Sequence, residues 1–289
     1  MASGARVGVY VDVENLTSTG GFGMRFNVLR EFAVRDGAEL VRLNAYVAVE
    51  HDPVRRGTED GRKIAFLAKL REVGYKVIEK PVRWFRDPET GAETSKANAD
   101  LDMAVDLLLQ SERLDRVLLA TGDGDFVQVV RAIQNRGCRV EAVAFQNVSH
   151  DFRREVDLFM PGYLIPELLP PMNKEEAPPQ WGRAGSRVFG TCYTSFLDTR
   201  GYAFLRFVRT IAPTLIWPTD TREVGSPYET AWAHIKEFQG NFTDLQDAAI
   251  RPWIFEFTLQ PDTRERADGR DRTRERFVAT HIVPICRYS

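Results

Sequence analysis

An α/β domain with a parallel sheet, followed by a small β-barrel, is the fold that this 289-residue sequence predicts. Three observations predict it. Short apolar, β-branched runs alternate with segments of helical periodicity over the first half, the pattern of a parallel sheet with helices on both faces. That periodicity stops near Met160, where proline, glycine and charge take over. Beyond it come five short, aromatic-rich runs separated by polar loops, the pattern of a small barrel.

The elements follow in order. Val7–Val13 (VGVYVDV) reads as a buried strand, and Phe26–Arg35 as a helix with Phe26, Leu29, Phe32 and Ala33 on one face. Leu40–Val49 is the second strand. Gly61–Val73 is a helix burying Ile64, Leu67, Ala68 and Leu70, and Tyr75–Glu79 is a third strand. Ala99–Leu109 is helical with Leu101, Ala104, Val105 and Leu108 inward, which leaves Asp102 and Asp106 on a polar face. Arg116–Ala120, Phe126–Asn135, Arg139–Phe145 and His150–Asp157 continue as strand, helix, strand and helix. The predicted domains are 1–160, a semi-rigid proline-rich linker over 161–186, and a barrel over 187–289 built from RVFGTCYTSF, GYAFLRFV, ETAWAHI, WIFEFTL and RFVATHIVPI. Residues 260–276, rich in arginine and acids, read as an exposed loop between the last two strands.

Composition narrows the function. A formal net charge of −2 excludes coating nucleic acid by bulk charge, though not a local basic groove. Cys138, Cys192 and Cys286 are scattered, without metal-ligand spacing, and read as reduced thiols. The first residues lack the pattern of a secretory leader, and no apolar run is long enough to span a bilayer; a cytoplasmic protein is expected.

The chemistry points to aspartates. Asp12 interrupts an apolar strand at its end, and Asp123 and Asp125 follow another strand in LLATGDGDF. In a parallel sheet both places lie at the carboxyl rim, where such folds bind ligands. Asp100 opens a helix beside them. Converging carboxylates repel one another and need a counter-charge. Oxygen-only ligands favour Mg2+ or Mn2+ over zinc. Asp100 and Asp125 also read as plain helix N-caps. Gly122 and Gly124 are expected to supply backbone freedom in the turn.

The blocks VYVDVENL, KANADLDMAVDLL and LLATGDGDFVQVVRAIQNRGCRVEAVAF, in this order, resemble the signature blocks of NYN domains, which are PIN-like ribonuclease domains. The resemblance spans roughly residues 6–160. It implies a Rossmann-like sheet and a metal-dependent endoribonuclease centre at Asp12, Asn15, Asp100, Asp123 and Asp125. Asp106 also falls on a recurrent family aspartate, which reopens its assignment to the surface. The preference for RNA is implied by the resemblance and not by the residues themselves. Pairing of two copies is expected only by analogy with PIN-like domains.

Basic residues flank this rim. Arg55, Arg56, Arg62 and Lys63 follow the second strand, and Lys80, Arg83, Arg86 and Lys96 surround the approach to Asp100. They suit phosphate binding, with Arg55, Arg83 and Lys96 the foremost candidates, and Trp84 and Phe85 supply rings for base stacking. A solvated loop with one buried aromatic is the competing reading. Gly20–Gly23 (GGFG) lacks a P-loop lysine and reads as a flexible loop.

In the second domain, GTCYTSFLDTRGYAFL and AWAHI resemble the two aromatic motifs of a cold-shock domain. The resemblance implies an OB-type barrel whose base-stacking face holds Tyr202, Phe204, Trp232 and His234. Ser195 stands where that family has tryptophan. The expected function is therefore a metal-dependent endoribonuclease with a barrel that binds single-stranded RNA. The alternatives are a non-catalytic RNA-binding regulator on the NYN fold, and a barrel that serves protein contacts.

Overall fold

The computed structural model describes residues 4–50, 60–86, 90–170, 180–213, 226–239, 245–263 and 276–288. The chain divides into two compact units, 1–160 and 161–289.

The first unit is built on β1 (Arg6–Asp12), β2 (Glu39–Val49), β3 (Lys76–Pro81), β6 (Arg116–Ala120), β7 (Arg139–Ala144) and β8 (Leu158–Pro161). The hairpin β4 (Arg83–Arg86) and β5 (Glu93–Lys96) stands apart from this sheet. Strand order is β3-β2-β1-β6-β7-β8, and every pair from β3 to β7 is parallel. The chain first works outward from β1 through β2 to β3, then crosses to β6 on the other side. Strand order therefore reverses between β1 and β6, which is where such sheets open a crevice beyond their carboxyl ends. β6 is wholly buried, as an inner parallel strand covered on both faces must be.

The helices are α1 (Val13–Leu16), α2 (Phe26–Ala33), α3 (Asp60–Glu72), α4 (Ala99–Gln110), α5 (Val127–Gln134) and α6 (His150–Glu155). Two inward faces differ from expectation. On α3, Leu67 and Leu70 are buried but Ile64 and Ala68 are exposed. On α4, the buried residues are Ala99, Met103 and Leu107, while Leu101, Val105 and Leu109 form an exposed stripe. The sheet explains the second difference. Beneath α4 it presents Tyr10, Asn44 and Tyr46, whose polar groups need partners. Tyr46 Oη donates to Asp106 Oδ2 at 2.6 Å, and Tyr10 Oη donates to Gln110 Oε1 at 3.0 Å. The helix thus turns acid and amide inward, and the residues read as its polar face lie against the sheet.

The opposite end of the sheet is tied by ions. Arg35 Nη2 donates to both oxygens of Glu141, at 3.0 and 2.8 Å, and both side chains are almost fully buried. Arg116 forks onto Asp36 at 2.7 and 2.8 Å and reaches Ala33 O. These bonds fix the end of α2 to the starts of β6 and β7.

The described part of 161–186 is packed instead of free-running. Tyr163, Ile165 and Leu168 are buried, and Trp181 Nε1 donates to Val208 O at 2.8 Å. Then β9 (Arg187–Phe196), the turn α7 (Leu197–Arg200), β10 (Tyr202–Val208), β11 (Tyr228–His234), β12 (Trp253–Pro261) and β13 (Phe277–Arg287) close a five-stranded barrel in the order β10-β11-β13-β12-β9. Its β11–β13 pair is parallel and its other four strand pairs are antiparallel, the mixed pattern of an OB-like barrel. Leu205, Phe207, Phe255, Phe257 and Ile282 fill it. Of the segment 260–276, residues 264–275 lie outside the described residues.

Candidate metal and nucleic-acid sites

Asp12 and Asp123 end up on either side of the strand-order reversal. Asp12 closes β1, and Asp123 follows Thr121 and Gly122 beyond β6. Both are also caps. Asp12 Oδ1 accepts from Asn15 N at 3.0 Å, and Asp123 Oδ1 accepts from Asp125 N at 2.9 Å. The capping role foreseen for Asp100 or Asp125 thus falls to Asp12 and Asp123, leaving Oδ2 of each for a ligand. Asp100 is the second residue of α4 and is exposed, as is Asp125.

Burial pushes the Asp12 carboxyl up to about 6; its Asn15 N–H bond works against this, and the charges of Glu14, Asp123 and Asp100 add to it. Three further carboxylates therefore act on Asp12. Glu14 is the residue that sequence reasoning missed. Its Oε1 accepts from Ala48 N at 2.9 Å and Lys63 Nζ at 3.3 Å, while Oε2 is sealed from solvent and has no hydrogen-bond partner among the described residues. Its signal was its place in DVEN, two residues after Asp12.

Asn15 joins the two halves of the rim. Its Oδ1 accepts from Gly122 N at 2.9 Å. The Asn15 side chain is thereby bonded to the backbone just before Asp123. The glycines of this turn answer to space more than to backbone freedom. A Cβ on Gly124 would sit 2.7 Å from Ser149 Oγ, and one on Gly122 would lie 3.3 Å from Val148 Cα. Gly21 in GGFG is likewise packed, since a Cβ there would meet the Phe145 ring at 2.3 Å. Asp102 and Asp106 are half-buried and bonded, to Lys80 and Tyr46, and neither is a solvated surface residue.

The donor set fits a hard divalent cation in its chemistry: all oxygen, crowded, and short of counter-charge. Among the described residues, however, no group of three or more His, Cys, Asp or Glu is already arranged to hold an ion.

Of the expected phosphate-binding residues, Arg83 stands exposed on β4, opposite Lys96 of β5 in the ladder. The Lys96 side chain and the whole of Arg55 lie outside the described residues. The barrel brings its aromatics together on the outside of β10 and β11. Tyr202 pairs with His234 and Phe204 with Trp232. Ring centroids lie 5.8 Å apart for Tyr202–Phe204, 6.0 Å for Tyr202–Trp232 and 5.6 Å for Trp232–His234. Ser195 is not on this face; it points inward and its Oγ donates to Asp247 Oδ1 at 2.5 Å. Thr194, opposite Phe204, takes the outer position. Arg206, unforeseen, lies over Tyr193 at 5.0 Å and Tyr228 at 5.1 Å. Burial lifts all three cysteine thiols to about 11, so they stay protonated, and none is disulfide-bonded. Among the described residues, no helix is long and apolar enough to cross a membrane.

A parallel sheet with helices around it, and carboxylates at the strand ends flanking its switch point, define a class of acidic-site α/β domain. The particular family is shown by comparison: the NYN domain profile matches residues 6–165, more than half of the chain, and this chain belongs to that family. It is 25% identical over 162 residues to the Low amplitude and bright protein LabA of Synechococcus elongatus, covering 54% of this chain and 83% of LabA. A solved structure of a protein of unknown function from Vibrio parahaemolyticus is 23% identical, with 56% of this chain and 94% of that one covered, at a TM-score of 0.45. A possible 1-phosphofructokinase from Thermotoga maritima is 12% identical, with 71% and 74% covered, at a TM-score of 0.28. Scores at these levels do not establish a shared fold.

Proposed function

We propose that this protein is a metal-dependent endoribonuclease whose barrel binds single-stranded RNA. The carrying observation is the meeting of Asp12 and Asp123 at the switch point of an NYN sheet, with the Glu14 and Asp100 charges acting on Asp12. Asp12, Asp100 and Asp123 would hold Mg2+ or Mn2+. Bound there, the cation would supply a water of lowered pKa and neutralise charge on the phosphoryl oxygens. Asn15 is a positioning residue, keeping the Asp123 turn against the end of β1. Asp125, exposed at the rim, is the carboxylate left to orient the attacking water and take its proton. Lys63, held on Glu14, places one positive charge beside the carboxylates. The rings of Tyr202, Phe204, Trp232 and His234 would stack on unpaired bases.

The test is cleavage of labelled single-stranded RNA with Mn2+ or Mg2+, with and without EDTA. Cleavage that needs metal and is lost in Asp12→Asn and Asp123→Asn supports the reading. Failure to cleave with any divalent metal, or cleavage that survives both variants, removes it. The second reading, a non-catalytic RNA-binding protein, is favoured by the lack of a ready-made metal cage among the described residues. It predicts full RNA affinity in the aspartate variants and no cleavage by the parent protein.

A further inference from the structure

β3 begins at Lys76, opposite Asn44, so the first residues of β2 have no β3 partner. A cavity of about 440 Å³ opens in this notch, with Val41, Arg42, Asn44, Gly74, Lys76 and Gln110 in its walls. Register and alternation place three of these side chains on one face of the sheet. Arg42 and Asn44 are two apart on β2, and Lys76 is the neighbour of Asn44 on β3. Gln110 comes from the last turn of α4, about 15 Å along that helix from Asp100. The cavity shares no residue with the aspartate rim.

Its polar groups are under-used. Asn44 is only 1% exposed, yet its Nδ2 makes two long bonds, at 3.3 Å to Tyr46 Oη and 3.4 Å to Gln110 Oε1, and no described residue donates to its Oδ1. Gln110 Oε1 accepts from Tyr10 and Asn44, while its Nε2 donates to no described residue. Arg42 Nη1 reaches the carbonyl of Val41, its own neighbour, at 3.2 Å. Among the described residues no carboxylate pairs with Arg42 or Lys76; Glu72, Glu79, Asp102 and Asp106, on the surrounding elements, are bonded to Lys69, Arg71, Lys80 and Tyr46.

The chemistry of these groups selects a ligand. Two cations side by side suit a phosphate monoester, which carries about −1.5 to −2 charges at pH 7. A spare amide donor beside a spare amide acceptor suits the adjoining acceptor and donor on the edge of a nucleobase. The volume falls within the roughly 300–1,000 Å³ of small-molecule sites. We propose that this cavity binds a nucleoside monophosphate, with Arg42 and Lys76 on the phosphate and the Asn44 and Gln110 amides on the base. The site stands independently of the ribonuclease reading.

The experiment is isothermal titration calorimetry of the full-length protein with each of the four ribonucleoside 5′-monophosphates and with inorganic phosphate. It is run in EDTA, so that no metal at the rim holds a phosphate. At least one nucleotide is expected to bind the parent roughly 10-fold or more tighter than phosphate does. Arg42→Gln and Lys76→Gln are each expected to weaken that nucleotide roughly 10-fold, and Asp12→Asn to bind it as the parent does. Both cations are exposed, so thermal melts matching the parent exclude misfolding. The nucleotide should also shift the side-chain amide resonances of Asn44 and Gln110, which tests their role without replacing a buried residue. Failure of all four nucleotides to bind overturns the proposal. So does phosphate binding as tightly as the nucleotide, which leaves a bare anion site. Binding lost in Asp12→Asn and kept in both cation variants moves the ligand to the rim and overturns it too. A protein that cleaves RNA and binds no nucleotide sinks the cavity alone; one that binds a nucleotide here and cleaves no RNA sinks only the ribonuclease reading.

Discussion

Asp12 meets opposing demands. Its Oδ1 caps the turn after β1, while burial and neighbouring carboxylates lift its carboxyl from the ordinary 3.8 to about 6. A raised acid reverses the usual sign. Between those two values the folded chain holds a proton that the unfolded chain has lost, so stability falls as pH rises through this window. The unfavourable contribution is then fully present at neutral pH. Asp12→Asn keeps a capping oxygen and removes the charge. It should raise the melting temperature of the metal-free protein at pH above about 6, with the gain shrinking toward pH 4. Added Mn2+ should raise the melting temperature of the parent and not of this variant, because an ion that binds only the folded state stabilises it by mass action. Asn15 is tested by Asn15→Ala. Losing the acceptor of Gly122 N leaves a buried donor unmet, a cost of about 1–3 kcal/mol, and loosens the Asp123 turn. Chemical denaturation should show the stability loss, and cleavage under saturating RNA should fall with it.

Among the elements, α4 shows how a helix face is chosen. Its sequence offers two apolar stripes, and periodicity favoured the one through Leu101 and Val105. The sheet decided otherwise, because Tyr10, Asn44 and Tyr46 beneath the helix required Asp106 and Gln110 as partners. At the other end of the sheet, Glu141 is the partner of buried Arg35. Glu141→Ala should lower the free energy of unfolding by about 3–5 kcal/mol, measured by urea titration, because an unpaired guanidinium remains inside. Replacing Arg35 and Glu141 together by apolar residues of similar volume should cost far less.

For the whole molecule, the division of labour between units is the testable matter. If the barrel recruits RNA, Phe204→Ala with Trp232→Ala should weaken RNA binding by about 1–3 kcal/mol per lost stack and leave the cleavage rate under saturating RNA unchanged. If the barrel serves protein contacts instead, the same variants should change the sedimentation coefficient and leave RNA affinity intact.

The sequence by itself determined much of this protein. Alternating apolar runs dictated the sheet and its helices, because burying both faces of a parallel strand demands them. The aromatic runs dictated the barrel strands, and Asp12 stood out because charge interrupts an apolar strand only for a reason. What the sequence left open needed long-range contacts. Only the tertiary structure brought Glu14 to Lys63, bonded Asn15 to Gly122, and pressed the Ser149 loop against Gly124. It also turned Ser195 into the barrel and stacked Arg206 between two tyrosines. Local periodicity records which residues favour burial. It carries no record of the partner waiting on the neighbouring strand, and at the rim of this sheet those partners set the geometry of the site.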